Sequence, residues 1–334
     1  MTKKLVLTLA TAALFLLTIG CGDSKSPIAT FVARSNSDYI PHLFTLNEST
    51  QQANLVSITI PSDAYYVSAN SDATQVTYCR NGDSGYDIFV MGVDSVEHEL
   101  TTGADACESV FSPDGKTIAF ISGQSGDYQV WLMNADGSNQ RAFFAPPAGT
   151  VYQEYPEFSP DGKTLVFWAE PNGAKSAARP RHAGSHAPSW PSHRNAHANT
   201  SVRPMTTPGV TSYGWYVMGL NDTDPTLVIS PNDWWGPAVF SADGSKLLIT
   251  DYDGTQYNIF SVNLDGSGLT PLTTSTSGDT FAPIPYKNLI LFNQENTANS
   301  SWDIYVMDQT GANQVLVHST ANTWETLLDS YWGF

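Results

Sequence analysis

The stretch VFSPDGKTIAF at residues 110–120 is repeated as EFSPDGKTLVF at 157–167 and as VFSADGSKLLI at 239–249. Each copy is two apolar runs joined by a Ser-x-Asp-Gly turn. The Gly supplies positive φ and the Asp closes the turn through its side chain, so each copy predicts a β-hairpin. A second pattern, apolar–aromatic–apolar–Met, follows at some distance. It reads DIFVM at 87–91, QVWLM at 129–133, GWYVM at 214–218 and DIYVM at 303–307, with weaker copies HLFTL at 42–46 and NIFSV at 258–262. The second residues of these copies are Leu43, Ile88, Val130, Trp215, Ile259 and Ile304. They recur every 42–45 residues or so, except across one interval of about double length between Val130 and Trp215.

Degenerate hairpins stand at NSDATQVTY (70–78) and YKNLILF (286–292), and further Asp-Gly turns at NADGSN (134–139) and NLDGSG (263–268). Each unit therefore reads strand, turn, strand, loop, alternating strand, turn, outer strand. Four strands in a unit of this period predict a β-propeller blade. In TIAF and VWLM both alternating sets of residues are apolar, as expected of a sheet covered on both faces. The expectation is an all-β protein: a six-bladed propeller of four-stranded antiparallel blades over residues 28–334. The first unit lacks its own inner strand. The tail TWETLLDSYWGF (323–334) is placed to supply it by pairing in blade one, which would leave no free edge.

At 334 residues the chain can bury a sizeable core. Low charge content, high aromatic content and many Gly and Pro residues suit short strands and tight turns. The net charge of −17 argues against nucleic acid as a partner. Residues 1–20 read as a signal peptide, with Lys3 and Lys4 before an apolar run at 5–17 that is short for a membrane span. Ile19-Gly20-Cys21 resembles a bacterial lipobox, which implies lipidation of Cys21, and residues 21–27 form a tether. Gly22 after the Cys implies sorting to the outer membrane. Plain secretion is the alternative.

Residues 174–212 fill the long interval. They carry no acidic residue, four Arg, one Lys and most of the His residues. They read as a disordered basic insertion in blade four. The pairs His182/His186 and His193/His197 have helical metal spacing, but the Pro and Gly around them argue against a helix. Cys79 and Cys107 are either two buried thiols or, in an oxidising compartment, a disulfide between adjacent blades.

FSPDGKTIAF followed by VWLMNADGSN resembles the WD40-like repeat of TolB-like propellers, which also occurs in the propellers of prolyl-oligopeptidase-type peptidases. The resemblance covers nearly the whole mature chain and implies a scaffold role in the cell envelope. TolB itself carries a further α/β domain before its propeller, and the peptidases carry a Gly-x-Ser-x-Gly nucleophile that this sequence lacks. Oligogalacturonate lyases have similar propellers with His ligands and a metal. Here His42, His98 and His318 fall at different repeat positions. DYDGTQ (251–256) reads as a turn and not as the start of a calcium loop.

The segments before each inner strand are what differ between units. They carry Tyr65, Tyr66, Tyr152, Tyr155, Trp234, Trp235, Phe281 and Trp324, with the carboxylates Asp63, Asp105, Glu154, Asp233, Asp279 and Glu325. In register, they would form an aromatic, acidic rim. Aromatic rings stack on sugars or peptide side chains, while carboxylates favour cationic or hydroxyl-rich ligands. Equally, the rings could wedge between blades and the Asp residues cap turns. The expected function is a monomeric, non-enzymatic envelope lipoprotein on the periplasmic face, whose rim binds a protein segment or a glycan without metal or cofactor. The alternative is a polysaccharide-acting enzyme resembling oligogalacturonate lyase.

Overall fold

The computed structural model describes residues 29–34, 41–47, 52–55, 58–82, 85–146, 151–171, 210, 212–232, 236–276, 278–298 and 301–318. Among these, every regular element is a strand. The N-terminal sheet is β1 (Ala29–Arg34), β2 (Pro41–Asn47) and β3 (Gln52–Leu55). Blade two is β4 (Tyr65–Ala69), β5 (Gln75–Asn81), β6 (Tyr86–Gly92) and β7 (Glu97–Glu99). Blade three is β8 (Ala106–Phe111), β9 (Thr117–Ser122), β10 (Gln129–Asn134) and β11 (Arg141–Ala142). Blade four is β12 (Val151–Phe158), β13 (Thr164–Pro171), β14 (Gly214–Gly219) and β15 (Thr226–Ile229). Blade five is β16 (Val239–Phe240), β17 (Lys246–Tyr252), β18 (Tyr257–Asn263) and β19 (Thr270–Pro271). Blade six is β20 (Thr280–Tyr286), β21 (Leu289–Asn296), β22 (Ser301–Asp308) and β23 (Val315–His318).

The expected count of six four-stranded blades is corrected to five, with a three-stranded sheet before them. The reason lies in the repeat. The first unit has no Ser-x-Asp-Gly hairpin of its own, and its first described strand, β1, already pairs with the alternating strand β2. The segment expected to complete it, residues 323–334, lies outside the described residues. So do residues 1–27, with Cys21, and nearly all of the 174–212 insertion, with its His pairs. The insertion falls between β13 and β14. These two strands pair directly, from Thr164↔Gly219 to Ala169↔Gly214, as if nothing stood between them.

The hairpin turn is held the same way each time. Ser112 donates its hydroxyl to Asp114 (2.7 Å), Lys116 N–H donates to the same carboxylate, and Thr117 N–H donates back to Ser112 Oγ. Ser159 with Asp161 and Ser241 with Asp243 repeat the cage. In all three, the hydroxyl hydrogen bond is the first cause that holds the Asp below the usual carboxylate range. Asp253 in DYDGTQ is likewise a turn carboxylate, lowered to about 2 by Thr255 first and then by the backbone N–H groups of Gln256 and Thr255.

The core lies between the sheets, since a single sheet cannot cover its own two faces. One apolar cluster joins blades two to four through Phe120, Phe158, Phe167 and Tyr216. Another joins blades four and five around Trp168 and Trp215, whose rings meet edge to face at 5.3 Å. The first strands are neighbours in turn: β4 with β8, β8 with β12, β12 with β16 and β16 with β20. This succession is that of the innermost strands of a propeller.

Candidate functional site

Inner strands β4, β8, β12 and β20 share one distortion. Their pairing shifts register between Tyr65 and Ser68, Cys107 and Val110, Glu154 and Glu157, and Phe281 and Ile284. At each bulge one non-glycine residue takes positive φ: Tyr66 (51°), Glu108 (52°), Tyr155 (54°) and Ala282 (53°). Bulges re-aim side chains and end regular pairing. Here they fall at the start of β4, β8 and β20 and in the second half of β12, among the residues that vary between units.

A run of contacts follows this level across three blades. Tyr65 meets Tyr86 edge to face at 5.8 Å. The Tyr86 N–H donates to Asp105 Oδ1 at 3.4 Å, and the Tyr128 hydroxyl donates to Asp105 Oδ2. Tyr128 meets Tyr152 edge to face at 5.8 Å, and the Tyr152 hydroxyl donates to Glu154 Oε1 at 2.7 Å. Next along β12, the Tyr155 N–H donates to Glu108 Oε2 at 2.7 Å, and its ring leans on Trp215 at 6.4 Å. Tyr65, Tyr86, Asp105, Tyr152 and Tyr155 are half-buried, while Tyr128 and Glu154 are buried. Burial first, then the Asp105 hydrogen bond, pushes the Tyr128 hydroxyl up. Burial likewise leads the rise at Tyr86, ahead of Tyr65 and Asp105.

The structure thus brings together five of the rim residues expected from the sequence: Tyr65, Asp105, Glu154, Tyr152 and Tyr155. Three others take packing or pinning roles. Tyr66 and Phe281 are buried, 5% and 4% exposed. Asp279 accepts the Tyr257 N–H at 2.9 Å, the same inter-blade pin that Asp105 makes to Tyr86. Asp63 sits 3.9 Å from Arg80, whose other partner is Glu97. Asp233, Trp234, Trp235, Trp324 and Glu325 lie outside the described residues. Cys79 on β5 and Cys107 are joined by a disulfide with Cα atoms 5.1 Å apart, tying blade two to blade three beside Glu108. Cys107 lies inside β8.

Sequence reasoning missed Tyr86 and Tyr128. Their signal is an aromatic directly before the alternating strand, which recurs as Tyr213, Tyr257 and Trp302. It also missed Glu108 and Glu157, because both sit inside strands that read as apolar. Glu157 is 4% exposed and pairs with Val166, whose cluster covers the face towards blade five. Among the described residues its Oε2 finds no hydrogen-bond partner. Burial raises its carboxyl well above the ordinary range, against a weaker pull from the Phe158 backbone. Among the described residues, no three His, Cys, Asp or Glu side chains stand together as a metal site.

Fold and site together define an all-β propeller with an aromatic and carboxylate belt running across three of its blades. No family model matches the chain. An uncharacterized protein of Agrobacterium fabrum is 34% identical over 115 residues, 34% of this chain and 38% of that relative's length. Among solved structures, TolB from Acinetobacter baumannii superposes with a TM-score of 0.59 at 14% identity, over 89% of this chain and 65% of that one. A putative TolB from Agrobacterium tumefaciens gives 0.57 at 14% identity, over 90% and 92%. An oligogalacturonate lyase of Vibrio parahaemolyticus gives 0.50 at 14% identity, over 82% and 76%. The chain spans less than two thirds of the Agrobacterium fabrum relative and of the Acinetobacter TolB. At these identities the structures share the fold, and TolB-like propellers are among the structural neighbours.

Proposed function

We propose that this propeller is a non-enzymatic binding module of the cell envelope, anchored through Cys21 on the periplasmic face, most simply at the outer membrane. Its belt captures a protein segment or glycan. The supporting observation is the connected run Tyr65–Tyr86–Asp105–Tyr128–Tyr152–Glu154. Half-buried rings supply contact area at low entropic cost, and fixed carboxylates supply direction. The TolB-like neighbours and the leader sequence agree with this reading. A pull-down from envelope extract compares wild type with Tyr152→Ala/Tyr155→Ala and with Trp234→Ala/Trp235→Ala. The reading expects at least one partner to be lost from the variants, and equal recovery of every partner would sink it. The lyase neighbours favour a second reading, a polysaccharide-acting enzyme. A stoichiometric transition metal in purified protein would turn the preference towards it.

A further inference from the structure

The bulges of β4, β8 and β12 are joined in series. In blade two, Tyr65 stands where the register of β4 shifts and lies opposite Cys79 on β5. Cys79 is bonded to Cys107, where the register of β8 shifts. The next residue, Glu108, has positive φ, and its Oε2 accepts the N–H of Tyr155 at 2.7 Å. Tyr155 is itself the positive-φ residue of the β12 bulge. A bulge takes its extra residue out of the ladder, so that residue's amide needs another acceptor. Glu108 supplies one from the neighbouring blade. Cys79, Cys107 and Glu108 are at most 2% exposed. The bulge of β20, in blade six, lies off this line.

A covalent link between blades two and three is thus followed, one residue later, by a hydrogen bond to blade four. We propose that the Cys79–Cys107 bridge is a redox-sensitive latch on the three bulges. Oxidised, it fixes β8 so that Glu108 reaches Tyr155, and the β12 bulge between Glu154 and Glu157 is held. Reduced, β8 is released from blade two and the β12 bulge loosens. Glu108 is the positioning residue that carries the effect to blade four. The reductant is a dithiol. One of its thiolates attacks a bridge sulfur and the S–S bond breaks; its second thiol then displaces the protein sulfur. Two electrons and two protons pass to Cys79 and Cys107, which become thiols, and the dithiol leaves as a disulfide. The sulfurs are buried, so exchange proceeds through local opening at the bulge. The latch is independent of what the belt binds, and it is tested without a ligand.

The experiment is hydrogen–deuterium exchange of the full-length protein under native conditions, oxidised and with excess dithiothreitol, with alkylation at Cys79 and Cys107 reporting the state of the bridge. Two segments are compared: Val151–Phe158, which contains the latched bulge, and Thr280–Tyr286, which contains the bulge off the line. Reduction should speed exchange at Tyr155 about tenfold, the scale of a lost charge-assisted hydrogen bond, and leave Thr280–Tyr286 within about twofold. Glu108→Gln should speed Tyr155 in the oxidised protein by a similar factor, and reduction should then add little, because both changes act on one contact. Cys79→Ala/Cys107→Ala supplies the open state without a reductant, and Glu108→Gln keeps the test readable if that variant does not fold. Equal acceleration of both segments would mean that the bridge acts only through global stability, and it overturns the latch. So does an unchanged Tyr155 once both cysteines are alkylated. A bridge that resists dithiothreitol until the whole protein unfolds overturns its redox sensitivity.

Discussion

Removing the Cys79–Cys107 bridge tests the inter-blade architecture most directly. The bridge closes a loop with a sequence separation of 28 residues and joins β5 of blade two to β8 of blade three. In the chain-entropy treatment, a loop of that length lowers the entropy of the unfolded state by about 12 cal/mol/K, or about 3.6 kcal/mol at room temperature. A propeller of roughly 300 residues unfolds with an entropy near 0.6 kcal/mol/K, so Cys79→Ala/Cys107→Ala should lower the melting temperature by about 6 °C. The two sulfurs are buried in one apolar cluster, so Ala keeps the site apolar and the loss is chiefly that of the cross-link. The assay is guanidinium unfolding of wild type and variant, each with and without a reducing agent. Reduction should destabilise wild type by the same amount and leave the variant unchanged. Two sensitive outcomes would refute the reasoning. One is a wild type that titrates with both thiols free under denaturing, non-reducing conditions. The other is a variant within about 0.5 kcal/mol of wild type, the scatter of an ordinary surface substitution.

Two further predictions concern single positions. Glu157 has its folded-state carboxyl raised by burial, so its contribution to stability is whole below the unfolded value near 4.5 and is lost as pH rises towards the folded one. Glu157→Gln should therefore melt higher than wild type at pH 7–8 and match it near pH 4, and a variant less stable at pH 8 would mean that the carboxylate is charged and paired. Gly266 has φ of +81°, and a Cβ there would come within 2.5 Å of the Val228 carbonyl oxygen of the preceding blade. Gly266→Ala should cost about 1–2 kcal/mol from the left-handed backbone alone, more with the clash, measured by chemical unfolding; a neutral result would show that this turn does not seat on blade four.

Most of the fold was legible because a propeller repeats short-range chemistry. A Ser-Asp-Gly turn is decided within six residues, and the lowered carboxyls of Asp114, Asp161 and Asp243 show the same cage each time. The blade count was not legible. Whether β1 begins a full unit depends on a distant strand, which no local pattern fixes.

The belt divides in the same way. Repeat spacing placed aromatic and acidic residues at corresponding points of the units, but Tyr65, Tyr66, Tyr152, Glu154, Tyr155 and Phe281 lie inside the inner strands and not before them. Only the tertiary structure decided which of them act together. Tyr66 and Tyr65 are adjacent in the chain, yet the bulge buries one and leaves the other half-exposed on Tyr86. Asp279, read as a ligand, holds the Tyr257 N–H of the preceding blade, and Asp105 makes the same kind of pin to Tyr86 from within the belt. Tyr128, silent in the sequence, joins Asp105 to Tyr152. The physical reason is that strand periodicity is local and therefore written in the chain. The direction of a side chain at a bulge, and the partner it meets, are set by how adjacent blades pack.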